Sequence, residues 1–372
     1  MTIGDHPTLE AIRLHRIVMP MRMPFTAAHG TEHFKNATVI EVISEGISGW
    51  GECAALEYPT YTEEYADGAF AVLRDLLVPG ALSGRDWQSE TPRNPMAKTG
   101  LEMAILDRHL RQSNQSLIKY LETISGESAL RKVPAGISIG IVHDVGRLRE
   151  LVEQAVSDGY QRIRMKIERD WDYEPIEAIR SKFPDITLQV DANGSYRLDD
   201  LPALQRLEQF DLLMIEQPLP STDLAGHAEL ARELSIPLCL DEPITSPDSA
   251  RNALSLGACS VINIKVARLG GLAPTLETLA VCRSMGAGAW CGGMLDTGIG
   301  RAVNVALAAL HGFTSPGDIA ATDRYFDRDV ITTKFEVNDG SINVPDTFGT
   351  GVTMDFDALA DFTIRKLELT AS

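Results

Sequence analysis

Apolar and polar residues alternate along two early stretches, near 8–19 and 37–47, with the two-residue period of half-buried strands. The second run continues through Gly46, Gly49 and Gly51 and reads as a hairpin. Between them lies Met23-Pro24-Phe25-Thr26-Ala27-Ala28-His29-Gly30. Its proline and glycine predict a loop, either plain surface or a lid over a site, with Phe25 as a candidate substrate contact. Helical spacing follows near 62–77 and 96–121. Residues 1–125 therefore read as a small α+β domain.

From Val133 the pattern changes to strand-helix alternation. A strand fits 133–140, a helix 145–157 and a strand 162–167; helices then fit near 173–182, 198–207, 223–234, 246–256, 271–285 and 298–310. The last strands are expected at 287–292 and 318–321. Seven or eight such units with no Gly-x-Gly-x-x-Gly loop predict a closed (β/α) barrel over residues 126–325, not an open nucleotide-binding sheet. Beyond it, residues 326–372 alternate again through Phe335–Val344 and are expected to pack back on the first domain. The fold class is thus α/β, a barrel with an α+β cap.

Five short apolar runs inside the barrel segment each close on an ionisable residue: Lys166, Asp191, Glu216, Asp241 and Lys265. These are 25, 25, 25 and 24 positions apart, the length of one strand, one helix and two loops. Consecutive units would bring all five to the same ends of neighbouring parallel strands, where barrels of this kind carry their active sites. An acid in that position can simply cap the next helix. Three acids on adjacent strands repel one another, however, unless a cation sits among them.

Composition narrows what the ladder serves. A formal net charge of −18 argues against nucleic acid or an anionic membrane as partner. No apolar run approaches the ~20 residues of a membrane span, and the opening Met-Thr-Ile-Gly-Asp-His lacks the pattern of a signal peptide. A cytoplasmic protein is expected. The five scattered cysteines suit buried thiols, and the eight histidines form no His-x-His or His-Glu-x-x-His pair, so a metal here would be held by oxygen.

Asp191, Glu216 and Asp241 are a suitable partial shell for Mg²⁺, or Mn²⁺, leaving positions for substrate oxygens. Asn193 and Glu242, one step beyond rungs, are candidates to orient those ligands, against the plainer roles of helix cap or surface. Only nine lysines occur in the chain, which makes two at strand ends conspicuous; they either neutralise the acids or act as general acids and bases. Arg164 lies two residues before Lys166, on the same strand face. Lysine plus a divalent metal is what proton removal α to a carboxylate requires, because the enediolate must be stabilised as it forms. A barrel that binds metal without turnover is the non-enzymatic alternative.

These residues resemble the enolase superfamily, in its muconate-lactonising branch. Asn263-Ile264-Lys265-Val266-Ala267-Arg268-Leu269-Gly270-Gly271 and Gly292-Gly293-Met294-Leu295-Asp296-Thr297-Gly298-Ile299-Gly300-Arg301 resemble the o-succinylbenzoate synthases and N-succinyl (N-acyl) amino acid racemases. The resemblance implies a (β/α)7β barrel, Mg²⁺ on Asp191, Glu216 and Asp241, and Lys166 as the base that takes the α-proton in a syn dehydration on the menaquinone pathway. Lys265 would face the opposite side, giving charge or a second proton transfer, with Arg268 in support. The substrate is then a small carboxylate, contacted by Ser138, Gly292, Gly293, Met294, Asp296 and Phe25, and the protein a homo-oligomer. Two features depart from the branch: Arg164-Met165-Lys166 replaces Lys-x-Lys, and Asp296 stands where relatives often carry Glu.

Overall fold

The computed structural model describes residues 9–371; the opening segment read above for a leader lies outside them. Strands β1 (Ala11–Ala27), β2 (Gly30–Ser44) and β3 (Ile47–Cys53) form an antiparallel meander. The segment expected to be a loop is instead the tip of the β1–β2 hairpin, which turns at Ala28 and His29. Its alternation was masked because the β1–β2 register shifts between Pro20 and Phe25, where prolines have no N–H for the ladder.

The helix Pro95–Gln112 lies across β3, and the approach is close because three glycines meet there. A Cβ on Gly51 would run into the Gly100 carbonyl, and one on Gly49 into the Arg108 backbone. The single helix expected over 96–121 breaks after Gln112, where Asn114 turns left-handed at φ 52°, and resumes as Leu117–Ser125. Short polar residues compete locally with the helical backbone, which accounts for the break.

The strand expected over 133–140 is also divided. Lys132–Pro134 (β4) turns away to pair with a late segment, while Gly136–Ile139 (β5) opens the barrel sheet. Then follow β6 (Arg162–Lys166), β7 (Leu188–Asp191), β8 (Ile215–Glu216), β9 (Leu238–Leu240), β10 (Val261–Ile264) and β11 (Gly288–Cys291). These seven are parallel and adjacent in sequence order. Helices cover their outer face with apolar contacts, while the inner face carries buried polar and charged side chains such as Arg162, Arg164, Gln189 and Asn263.

An eighth strand over 318–321 does not form. Its place is taken by 314–318, where Thr314 N donates to Ala289 O (2.8 Å) and Asp318 N to Cys291 O (2.9 Å). Gly317 forms a single parallel bridge to Ala135, so this irregular segment links the two edges of the sheet. Ser341–Asn343 (β12) is the partner of β4, and Thr363–Thr370 (β13) adds to the outer edge of β1, from Ala11 opposite Thr370 to Ile17 opposite Thr363. The capping sheet therefore has the order β13-β1-β2-β3. All five cysteines are free and buried, and no helix among the described residues is long and apolar enough to cross a membrane.

Candidate active site

The parallel ladder puts the five ionisable residues together. Lys166 is opposite Asp191, and Asp191 opposite Glu216, in the β6–β7 and β7–β8 registers. Asp241 and Lys265 each follow the last residue of a strand. The three acids are fully buried, and both lysines are nearly so.

Every acid is held by cations. Lys166 Nζ donates to Asp191 Oδ2 (2.6 Å) and Asn193 Oδ1 (2.6 Å). Arg164 pairs with Asp191 and reaches Glu216 at 2.9 Å, its guanidinium 5.3 Å from the centre of the Trp290 ring. Lys265 donates to Asp241 Oδ2 (2.8 Å), and Arg268 pairs with the other Asp241 oxygen. Gln189 Nε2 and Asn263 Nδ2 complete the Glu216 shell at 2.9 and 2.7 Å.

The charge balance is uneven. Burial raises the Glu216 carboxyl, and although Arg164 opposes this, Asp191 and Asp241 carry it up to about 8. At Asp241 burial acts in the same direction, but Arg268 and Lys265 outweigh it and hold the acid below the ordinary carboxylate range. Burial would lower Lys265, yet Asp241 and Tyr61 raise it above the usual lysine value. Lys265 is therefore an ammonium as it stands.

Among the described residues no three His, Cys, Asp or Glu side chains are gathered tightly enough to hold a metal ion in their present poses. The reason is visible in the contacts: lysine and arginine groups occupy the carboxylate oxygens. The donor chemistry nevertheless fits a hard divalent cation, with three carboxylates at adjacent strand ends. The contacts favour it: among the described residues Glu216 has one bonded cation, Arg164, where Asp191 and Asp241 have two each, and its buried carboxyl is raised accordingly. Close by, Glu242 Oε2 is buried without a partner while its other oxygen accepts from Asn193 Nδ2 at 2.9 Å.

A cavity opens beside this cluster, lined by Lys166, Lys265, Arg164, Asn193, Asp318 and Ser138 from the barrel. Phe25, His29, Glu32 and Tyr61 close it from the cap side, and Gly293, Met294, Leu295 and Asp296 form another wall. With its open mouth the space is about 780 Å³, within the range of small-molecule pockets. Of the residues expected to contact substrate, Phe25, Ser138, Gly293, Met294 and Asp296 line it. Gly292 does not; it makes room, since a Cβ there would come 2.9 Å from Lys265 Cε. One oxygen of Asp296, Oδ2, is engaged by its surroundings, accepting from Met294 N in its own loop and from Asn304 Nδ2 on the helix Gly298–Ala308, both at 2.9 Å. Glu242 and Arg268 lie behind the lining, with Arg268 also tied to Ile244 O (2.8 Å) and Asn263 O (2.6 Å).

Tyr61 and His29 line the cavity but are not singled out as site residues by the sequence. The Tyr61 hydroxyl accepts from Lys265 (2.9 Å) and Arg268 (2.8 Å) and stands 3.1 Å from either oxygen of Asp241, while Lys265 Nζ is 4.5 Å from its ring centre. His29 Nδ1 is buried with no hydrogen-bond partner, and burial, aided by Lys166, lowers its pKa to about 4. Both residues stand in irregular or turn segments with no periodicity to mark them.

A capped parallel barrel with acids and lysines at one mouth defines an enzyme class, and sequence comparison assigns the chain to it. The mandelate racemase / muconate lactonizing enzyme N-terminal domain matches residues 10–121, and the enolase C-terminal domain-like family matches residues 147–358. The chain belongs to the enolase superfamily. It is 42% identical over 368 residues to the N-succinylamino acid racemase of Amycolatopsis sp., covering 96% of this chain and 98% of that one. It is also 42% identical over 356 residues to the o-succinylbenzoate synthase of Geobacillus stearothermophilus, covering 93% and 94%. A solved enolase-superfamily member from Listeria innocua Clip11262 superposes with a TM-score of 0.91 at 37% identity, covering 99% and 100%.

Proposed function

We propose that this chain is an o-succinylbenzoate synthase, performing the syn dehydration of a cyclohexadiene carboxylate in menaquinone biosynthesis, and that the same site racemises N-succinyl or other N-acyl amino acids. The observation that carries this is the pair Lys166 and Lys265, lining one cavity and each hydrogen-bonded to an acid of the buried ladder. The racemase reading rests on the two 42% relatives, one bearing each name. Both reactions begin with removal of the proton α to a carboxylate.

In this reading Asp191, Glu216 and Asp241 hold Mg²⁺, or Mn²⁺, with Asn193 and Glu242 orienting them. Bound there, the cation would neutralise charge growing on the substrate carboxylate as the proton leaves. Lys166 takes that proton. Lys265, held protonated by Asp241 and Tyr61, supplies positive charge from the other side and, in racemisation, returns a proton to the opposite face. Phe25, Ser138 and the 293–296 wall contact the rest of the substrate. The same reading carries a cytoplasmic location and a homo-oligomeric assembly.

The test is turnover by purified protein. With Mg²⁺ it should dehydrate the cyclohexadiene precursor and exchange the α-proton of N-succinyl amino acids with D₂O. Chelator should lower both rates by at least about a hundredfold, and Mg²⁺ should restore them. Absence of turnover on the precursor and on every N-acyl amino acid tried would end the proposal.

A further inference from the structure

A buried ion pair lies outside the ladder. Lys35 of β2 and Glu52 of β3 meet at 3.0 Å, each side chain only 1% exposed. Both belong to the capping sheet, yet their remaining bonds go to the barrel. Lys35 Nζ donates to Met294 O (3.1 Å). Glu52 Oε2 accepts from Thr297 Oγ1 (2.6 Å), Thr297 N (3.1 Å) and Gly300 N (3.1 Å).

These bonds bracket a strained residue. Leu295 sits at φ 55°, a left-handed conformation that a branched apolar side chain adopts only when its surroundings enforce it. Met294 is held at its carbonyl by Lys35 and at its N–H by Asp296, and Thr297 is held by Glu52. Met294 and Leu295 meanwhile form an apolar wall of the cavity, with Leu56 also lining it. An apolar pair could fill the same buried volume at little cost in stability. It could not hold a carbonyl, two N–H groups and a hydroxyl of the opposite domain.

We infer that Lys35 and Glu52 are positioning residues: they fix the Met294–Leu295 wall and thereby set which apolar substituents the substrate can carry. The inference rests on the proposed function for its substrate but not for its mechanics. Neither residue touches the acids, the lysines or the cavity.

The test uses the full-length double variant Lys35→Met/Glu52→Leu, together with Thr297→Val and Thr297→Ser, on N-succinyl-alanine, -valine and -phenylalanine with Mg²⁺. The double variant should keep kcat for the alanine compound within twofold. Its KM should rise at least tenfold for the phenylalanine compound, changing the ranking of substrates. Thr297→Val should do the same more weakly, and Thr297→Ser should restore wild-type values. A uniform fall in kcat with KM unchanged, or no change at all, overturns the inference. If the double variant fails to fold, the Thr297 pair decides the question. Hydrogen exchange is the readout that needs no turnover: amides of 293–300 should exchange at least tenfold faster in the double variant or in Thr297→Val, and unchanged rates overturn the inference. Wild-type protein inactive on every substrate would instead count against the proposed function.

Discussion

Lys166 and Lys265 differ in company more than in chemistry. Lys166 is shared between one carboxylate and the Asn193 amide oxygen, whereas Lys265 is clasped by Asp241, the Tyr61 hydroxyl and the Tyr61 ring. Replacing Lys166 with alanine should lower dehydration and α-proton exchange by about 10²–10⁴-fold, the usual share of a general base, with the circular dichroism spectrum unchanged. Residual racemisation near the wild-type rate would show that the base lies elsewhere. Tyr61→Phe keeps the ring and removes the hydroxyl that joins Lys265, Arg268 and Asp241. Charged groups would each lose a neutral hydrogen-bond partner, worth about 1.5 kcal/mol, so kcat should fall roughly tenfold. An unchanged kcat for this variant would mean that Tyr61 only covers the site.

The meeting of β3 with the helix Pro95–Gln112 shows how an element holds the cap in shape. Gly51→Ala would force a methyl against the Gly100 carbonyl, and backbone cannot step aside as a side chain can. The cost should be about 1–3 kcal/mol, read as a lowered denaturant midpoint; an unchanged midpoint would mean that the two elements separate easily. Elements were legible in the sequence wherever an apolar run was regular and closed by a charged residue, as in β6 with Lys166 and β7 with Asp191. They were illegible where backbone chemistry interrupted the period. The prolines of β1 made a hairpin tip resemble a loop, Asn114 ended a helix that the spacing carried onward, and 314–318 completes the sheet with almost no ladder of its own. Tyr61 and His29 could not be found from periodicity, since tertiary folding alone brings them over the ladder.

At the scale of the molecule, folding imposes an acid-side limit. Burial lowers both His15 and His29 from 6.5 to about 4. Well above pH 6.5 both are neutral whether the chain is folded or not, and neither alters stability. As pH falls from 6.5 towards 4 the unfolded chain takes up protons that the folded one refuses, so stability should decline across that window. Thermal unfolding followed against pH should show the decline, and His15→Gln, remote from the cavity, should make it shallower. An identical slope in that variant would assign the effect to other groups. The pairing of β13 with β1 has a further consequence, in time instead of space. Ala11 waits for Thr370, more than 350 residues later, so at ~5–20 residues per second the outer edge of β1 is translated tens of seconds before its partner. During synthesis that edge is an open template for another nascent chain, and shielding it falls to whatever meets the ribosome-bound polypeptide until β13 arrives.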